Sequence, residues 1–212
     1  MSPTATRNSG KKERMTQAER TAQSDSQMFD AAIRLIVDQG PQRATLADIG
    51  IHAGYSRGLA AYRYKTKDVF YSALIEHLHH LWCVELDATI SGTRGMDTIV
   101  AAVTALQNFV RSNPDHLHAM YKLYYHTIDH HSEITQKLQE IHQNQRKQAA
   151  LWIAECPGYE NNHTEAEAFA EQYCALVFGA IYQWLVSPQA IDLDKLLENC
   201  KLSLRLIARA EP

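Results

Sequence analysis

From Ile49 to Lys67 the chain carries Arg57, Arg63, Lys65 and Lys67 and no acidic side chain. Such a cluster of cations can seek a polyanion, although a charge run on a bare helix face is simply solvated. The residues around it read as two short helices and a turn. Thr45-Leu-Ala-Asp48 has the form of a helix start, Leu46, Ile49 and Ala53 make an inward face, and Gly54 can supply the positive φ of a sharp turn. A second short helix is predicted with Ser56 as its N-cap, presenting Arg57 and Gly58 outward before Lys65-Thr66-Lys67 opens the next. This is helix-turn-helix grammar. In that geometry the second helix enters the major groove by its N-terminal turn, which is narrow, exposes free N–H groups and favours phosphate. Arg57 then lies where base edges are read.

Other chemistries find less support. Of the 11 histidines, His126 and His130 stand four apart, His77 and His80 three apart, and His116 and His118 cluster near a helix start, but each spacing supplies two ligands and not a closed metal site. They read as solvated or hydrogen-bonded imidazoles, with no metal and no cofactor expected and metal sensing kept as the alternative. A helical di-iron enzyme would need Glu-x-x-His on two facing helices. Glu76-x-x-His79 lies on a helix, whereas Glu160-x-x-His163 falls in a Pro-Gly-Asn loop, so the requirement fails. Neither a phosphate-cradling glycine loop nor a Gly-x-Ser-x-Gly elbow is present, so no enzyme is expected. A constitutive DNA-architectural protein remains a third reading.

The elements that must position these residues are helical. With 212 residues and 45% hydrophobic content the chain can bury a core. The longest nearly uncharged apolar run, Cys174 to Val186, is too short for a membrane span, and the N-terminus lacks the apolar stretch of a secretory signal. Cys83, Cys156, Cys174 and Cys200 show no Cys-x-x-Cys pairing, so a cytoplasmic protein with reduced thiols and no membrane partner is expected. Lys and Arg outnumber Asp and Glu over residues 1–80, while acids dominate residues 81–212, within a net charge of −3. Residues 1–23 are assigned to a basic, disordered tail, richest in Ser, Thr and Lys/Arg up to Met15. The first helix begins at either Thr16-Gln-Ala-Glu19 or Ser24-Asp-Ser-Gln27, both of capping-box form, and stops at Gly40-Pro41. Further helices are predicted from Lys67 to about Ser91, Met96 to Ser112, Asp115 to about Asp129, Ser132 to Glu155, Thr164 to Val186 and Asp192 to Ala210. The fold class is therefore all-α, with a helix-turn-helix unit at 24–70 and a second helical domain at 71–212.

The stretch Phe29-Asp-Ala-Ala-Ile-Arg-Leu-Ile-Val-Asp-Gln-Gly40, then Ala44-Thr-Leu-Ala-Asp-Ile49, Ala53-Gly-Tyr-Ser-Arg-Gly58 and Tyr64-Lys-Thr-Lys-Asp68, resembles the TetR family of bacterial one-component regulators in order and spacing. Departures are informative. Ala61 stands where the family usually has a tyrosine, with Tyr62 next to it. Arg63 replaces the usual histidine with a permanent cation, Leu59 replaces a frequent threonine, and Gly50 replaces a common alanine at a propensity cost of about 1 kcal/mol. The resemblance implies base-facing positions at Ala47, Arg57, Gly58 and Leu59 and backbone-facing positions at Thr45, Ser56, Tyr62, Arg63 and Lys67. Tyr64, at a usual phenylalanine position, is expected in the core.

The same resemblance implies a C-terminal ligand-binding and dimerisation domain. Its last two helices, with the stripe Leu193, Leu196, Cys200, Leu204 and Ile207 and the close-approach pair Ala175 and Gly179, are expected to pair with a second copy as a four-helix bundle. A two-fold dimer would read a palindromic double-stranded operator with half-sites roughly 34 Å apart. A ligand cavity among the middle helices is also implied, with Phe109, Tyr124, Trp152 and Tyr173 as its expected wall and Asn108, His126 and Gln172 as polar neighbours. The helix from Lys67 is the expected transmitter between cavity and recognition helix. The function so implied is a repressor released by a small, mostly apolar effector.

Overall fold

The structure is a computed structural model that describes residues 15–128 and 132–210; the basic tail expected up to Met15 lies almost wholly outside them. The described backbone contains helices and no strand: α1 (Gln17–Gln39), α2 (Leu46–His52), α3 (Leu59–Tyr64), α4 (Lys67–Ile90), α5 (Gly95–Ser112), α6 (Pro114–His126), α7 (Glu133–Ile153), α8 (His163–Val186) and α9 (Leu193–Ala210). Thr16, not Ser24, starts α1. Its hydroxyl accepts from the Glu19 N–H at 3.2 Å while the Glu19 carboxylate accepts from the Thr16 N–H at 2.6 Å, which satisfies two otherwise orphaned donors. Residues 17–23 are thus the first turns of α1 and not part of a tail. Ser24 is buried in mid-helix, its hydroxyl turned back onto the Thr21 carbonyl at 2.8 Å.

The second helix of the helix-turn-helix starts later than its sequence suggests. Ser56 caps nothing: α3 begins at Leu59 behind Gly58, and residues 56 to 59 form a single turn closed by the Leu59 N–H on the Ser56 carbonyl at 3.1 Å. The cause lies in α2. Gly50 is buried against this turn, and a Cβ there would stand 2.7 Å from the Ser56 carbonyl oxygen. Its own carbonyl accepts from the Tyr55 N–H at 2.9 Å, and Gly54 takes a φ of 82° between them. The Gly50 position, read from sequence as a loosened helix, is the seat on which the turn rests. At the far end, Lys65 adopts φ 64° and ψ −53°, and the Thr66 N–H donates to the Tyr64 carbonyl at 2.7 Å. This strained γ-turn brings α3 directly into α4 with no slack between them.

Packing follows from the apolar faces. Met28, Phe29, Ala32, Ile33 and Ile36 of α1 meet Ile49, Ala60 and the first turns of α4 in one buried cluster. From there α4 crosses α5 and α7, α8 lies along α7, α9 covers α5 and α8, and α6 returns to α1. α9 is held by a polar joint as well as by apolar burial. The buried Lys201 ammonium donates to Gln107 Oε1 at 2.6 Å and to Glu198 at 2.7 Å, so the buried amide and cation satisfy each other. This joint changes the expected interface. Cys200, Leu204 and Leu197 are buried within their own chain, and the apolar side chains that α9 turns outward are Leu202, Leu206 and Ile207. Asn113-Pro114 does separate two helices, since Pro114 takes the first position of α6. The four cysteines are free.

A methyl group at Gly50 cannot be admitted without moving the Ser56–Arg57 backbone. Gly50→Ala is therefore expected to destabilise the protein by about 1–3 kcal/mol despite alanine's better helix propensity. Urea denaturation of the two proteins side by side checks this; equal or greater stability of the variant would contradict the seat assigned to Gly50.

Candidate nucleic-acid interface and ligand cavity

The exposed end of the helix-turn-helix collects most of the residues expected to face DNA. Ser56, Arg57 and Gly58 are exposed on the turn, Leu59 is half-buried, and Ala47 is half-buried on α2. Thr45 caps α2 by accepting from the Asp48 N–H at 3.1 Å and donating to its carboxylate at 2.6 Å. Tyr62 is 77% exposed, with the Lys65 ammonium 4.8 Å from its ring centre, so its side chain is presented outward and not packed. Tyr64 points the other way: it meets Phe70 edge-on at 4.8 Å, and its hydroxyl donates to Asp25 at 2.7 Å. Burial and this carboxylate push its phenol pKa up.

Two of the expected backbone-facing cations are occupied within the fold. The Arg63 guanidinium pairs with Asp25 and donates to Ser24 Oγ at 2.7 Å, clamping α3 to α1. Lys67 donates to the carbonyls of Pro41 at 3.0 Å and Gln42 at 2.9 Å, and burial holds its pKa below the usual lysine value. Both lock α3 in place from behind. Arg57 and Lys65 are the exposed cations of the motif.

The C-terminal domain encloses a cavity of about 380 Å³ between α4, α5, α6, α7 and α8. Phe109, Tyr124, Trp152 and Tyr173 all lie in its wall. The polar neighbours expected from adjacency, Asn108, His126 and Gln172, do not; His79, Asn144, Gln145 and Gln148 take their place. Sequence reading also missed the largest single contribution, from α4, which supplies His79, Trp82, Cys83, Leu86, Asp87 and Ile90. Their spacing of three and four residues is the signal, hidden because α4 is apolar on several faces and the stripe of Phe70, Leu74 and Leu78 is the stronger. Among the described residues no lysine or arginine lines the cavity. Burial raises the Tyr124 and Tyr173 phenols and lifts the Cys174 thiol to about 11, so all three remain neutral at pH 7. Gln145 Oε1 is buried without a partner and offers the cavity a hydrogen-bond acceptor.

Two elements run from this cavity to the helix-turn-helix end. α4 starts at Lys67, beside the recognition helix, and its later turns form one wall. α6 lines the cavity with Leu117, Met120, Tyr121 and Tyr124, while Lys122 on its other face donates to the Val37 carbonyl at 2.6 Å, near the C-terminus of α1. Among the described residues no three His, Cys, Asp or Glu side chains gather into a group that could hold a metal, and His130 lies outside those residues. No helix among them is long and apolar enough to cross a membrane.

The family model described as bacterial regulatory proteins, tetR family, matches residues 29–74. The HTH-type transcriptional regulator TtgR of Pseudomonas putida is 29% identical over 185 residues, covering 82% of this chain and 86% of that protein. Among solved structures, SmeT, the repressor of the Stenotrophomonas maltophilia multidrug efflux pump SmeDEF, superposes with a TM-score of 0.69 at 19% identity, over 85% of this chain and 87% of its own. FadR of Bacillus subtilis in complex with stearoyl-CoA superposes with a TM-score of 0.71 at 15% identity, over 84% and 96%. Structural likeness at identities this low speaks for the fold.

Burial holds the imidazoles of His79, His116 and His142 below the usual 6.5; His80 adds to the effect at His79, and Arg146 and His79 at His142, while Asp30 and Asp115 oppose it at His116. The folded state keeps these rings neutral where the unfolded chain takes up protons. Their contribution to stability is complete above pH 6.5 and declines as the pH falls towards the folded values. The melting temperature is expected to drop between about pH 7.5 and 5.5, and His79→Gln to show a shallower drop. A melting temperature constant over that range would remove this account of the histidines.

Proposed function

We propose that this chain, a member of the TetR family of bacterial helix-turn-helix regulators, represses transcription as a homodimer on a palindromic operator and is released by a small, mostly apolar effector. The observation that carries this reading is the double attachment of α4, which leaves the recognition helix through the γ-turn at Lys65 and ends as a wall of the aromatic cavity. A helix of 24 residues is about 36 Å long, so a small tilt at the cavity becomes a displacement at the DNA. α6 offers a second strut through Lys122 and Val37. A ligand can act only by its differential affinity for the two arrangements of these struts.

On the DNA, Arg57 reads a base edge from the exposed turn, with Ala47, Gly58 and Leu59 beside it, and Thr45, Ser56 and Tyr62 meet the backbone. Arg63 and Lys67 contribute to the backbone contact through their position more than through free charge, because Asp25 and the Pro41 and Gln42 carbonyls already hold them. The dimer forms through the outward faces of α8 and α9, where Ala175, Gly179 and Val186 stand beside Leu202, Leu206 and Ile207. In the cavity an uncharged, apolar or aromatic molecule with one donor for Gln145 fits the wall. Support comes from the relatives, one named for repressing a multidrug efflux pump and one solved with a fatty acyl thioester.

Selection from a random DNA pool is expected to enrich an inverted repeat, and failure to enrich one sinks the operator reading. On the selected site, Arg57→Ala should lose about 1–3 kcal/mol of discrimination at one base pair in each half-site, measured by competition binding. Lys122→Met is expected to leave operator affinity and effector affinity near their original values and to reduce effector-induced release. If release is undiminished in that variant, α6 is not a strut and the transmission runs through α4 alone.

A further inference from the structure

Behind the aromatic wall of the effector cavity lies a second one. It is larger, about 520 Å³, more open, and formed by α6, α7 and α8 with Tyr121, Tyr124 and Phe178 in common with the first. The two differ in charge. Among the described residues the effector cavity has no cation in its wall and has Asp87 at its edge, whereas Arg146 is the charged side chain lining the second. Arg146 is exposed, and among the described residues no carboxylate pairs with it. One turn before it on the same face of α7, His142 sits between the rings of Tyr124 and Phe178, each 5.1 Å away, and its Nε2 is buried without a partner. Across the opening Tyr125 and Tyr182 stand 5.4 Å apart and, with Ile128, are largely exposed.

We propose that this second cavity is a binding site for a small amphipathic carboxylate, its aromatic or aliphatic body between Tyr125, Phe178 and Tyr182 and its charged end on Arg146, with the His142 Nε2–H as a second donor. The parts are complementary to such a molecule and to no neutral hydrocarbon: an aromatic slot, a cation at its edge that no carboxylate among the described residues pairs, and an orphaned imidazole nitrogen one helical turn away. An acid entering the first cavity would meet no cation among the described residues there, so the charge sorts ligands between the two sites. The site is built from one chain, with Gly179 and Tyr182 at the edge nearest the α8 face through which the dimer is proposed to form. It requires neither DNA binding nor release.

The probes are 2-naphthoate and its neutral counterpart 2-naphthalenemethanol, titrated into the full chain by fluorescence. The carboxylate is expected to bind and to weaken roughly fivefold in Arg146→Gln, the scale of an exposed ion pair, with most of the affinity kept in Arg146→Lys. Raising the salt concentration should likewise weaken the carboxylate and spare the alcohol. Val177→Phe, which narrows only the effector cavity, should lower the affinity of the alcohol and leave that of the carboxylate unchanged. Thermal melting verifies that each variant is folded. The proposal is overturned if 2-naphthoate does not bind, if Arg146→Gln affects both probes alike or neither, or if Val177→Phe abolishes both. The last outcome would mean that a single cavity receives both molecules.

Discussion

The grip on the first half of α4 governs the rest of this molecule. Phe70, Tyr71, Leu74, Ile75 and Leu78 are sealed from solvent, and the Tyr71 hydroxyl donates to the Pro41 carbonyl at 2.8 Å. These contacts make α1, α2 and the start of α4 one body. Past Leu78 the helix loses that support and borrows a different one, from the rings around the cavity, with Trp82 and Phe109 meeting edge-on at 5.8 Å. α4 is thus fixed at one end and bedded in the cavity wall at the other. Packed interiors respond in discrete steps more than by continuous deformation.

Charge is distributed to serve this division of labour. At the helix-turn-helix end, Arg63 and Lys67 are held by internal acceptors, which fixes α3 and leaves Arg57 and Lys65 exposed at its two ends. In the interior the cavity wall holds phenols, thiols, amides and the Asp87 carboxylate, so an anion entering it would surrender hydration with no cation among the described residues in return. The cationic edge is placed next door, at Arg146. A similar arrangement operates at α9, where Lys201, Gln107 and Glu198 satisfy one another and release the apolar side chains beyond them for the outer face.

The aromatic rings form two packed groups, one at each end of α4. Trp82, Phe109 and His116 follow one another from the cavity, and His77 stacks on Phe29 at 5.0 Å, which in turn meets Tyr64 and Phe70.

Much of this was legible in the residues themselves. Helical periodicity, Gly40-Pro41 and Asn113-Pro114 delimit the helices because period and breakers are local properties. The motif from Phe29 to Asp68 marks out the helix-turn-helix, and four aromatic residues named from sequence share one cavity wall. What local pattern cannot carry is a relation between distant positions. Thr16 and Ser24 both have capping-box form, and the choice depends on Ser24 being packed beneath Arg63, 39 residues away. Gly50 reads as a weak point in a helix until the Ser56 carbonyl is brought against it. The α9 stripe reads as an interface until Gln107 draws Lys201, and with it Cys200 and Leu204, onto its own chain. The cavity face of α4 is masked by the helix's other apolar face, since hydrophobicity says that a side chain is buried and not what buries it. Residue type and spacing determine the helices and the chemistry available; which side chains meet is decided only when the chain closes on itself, because each contact across it depends on all the helices being placed at once.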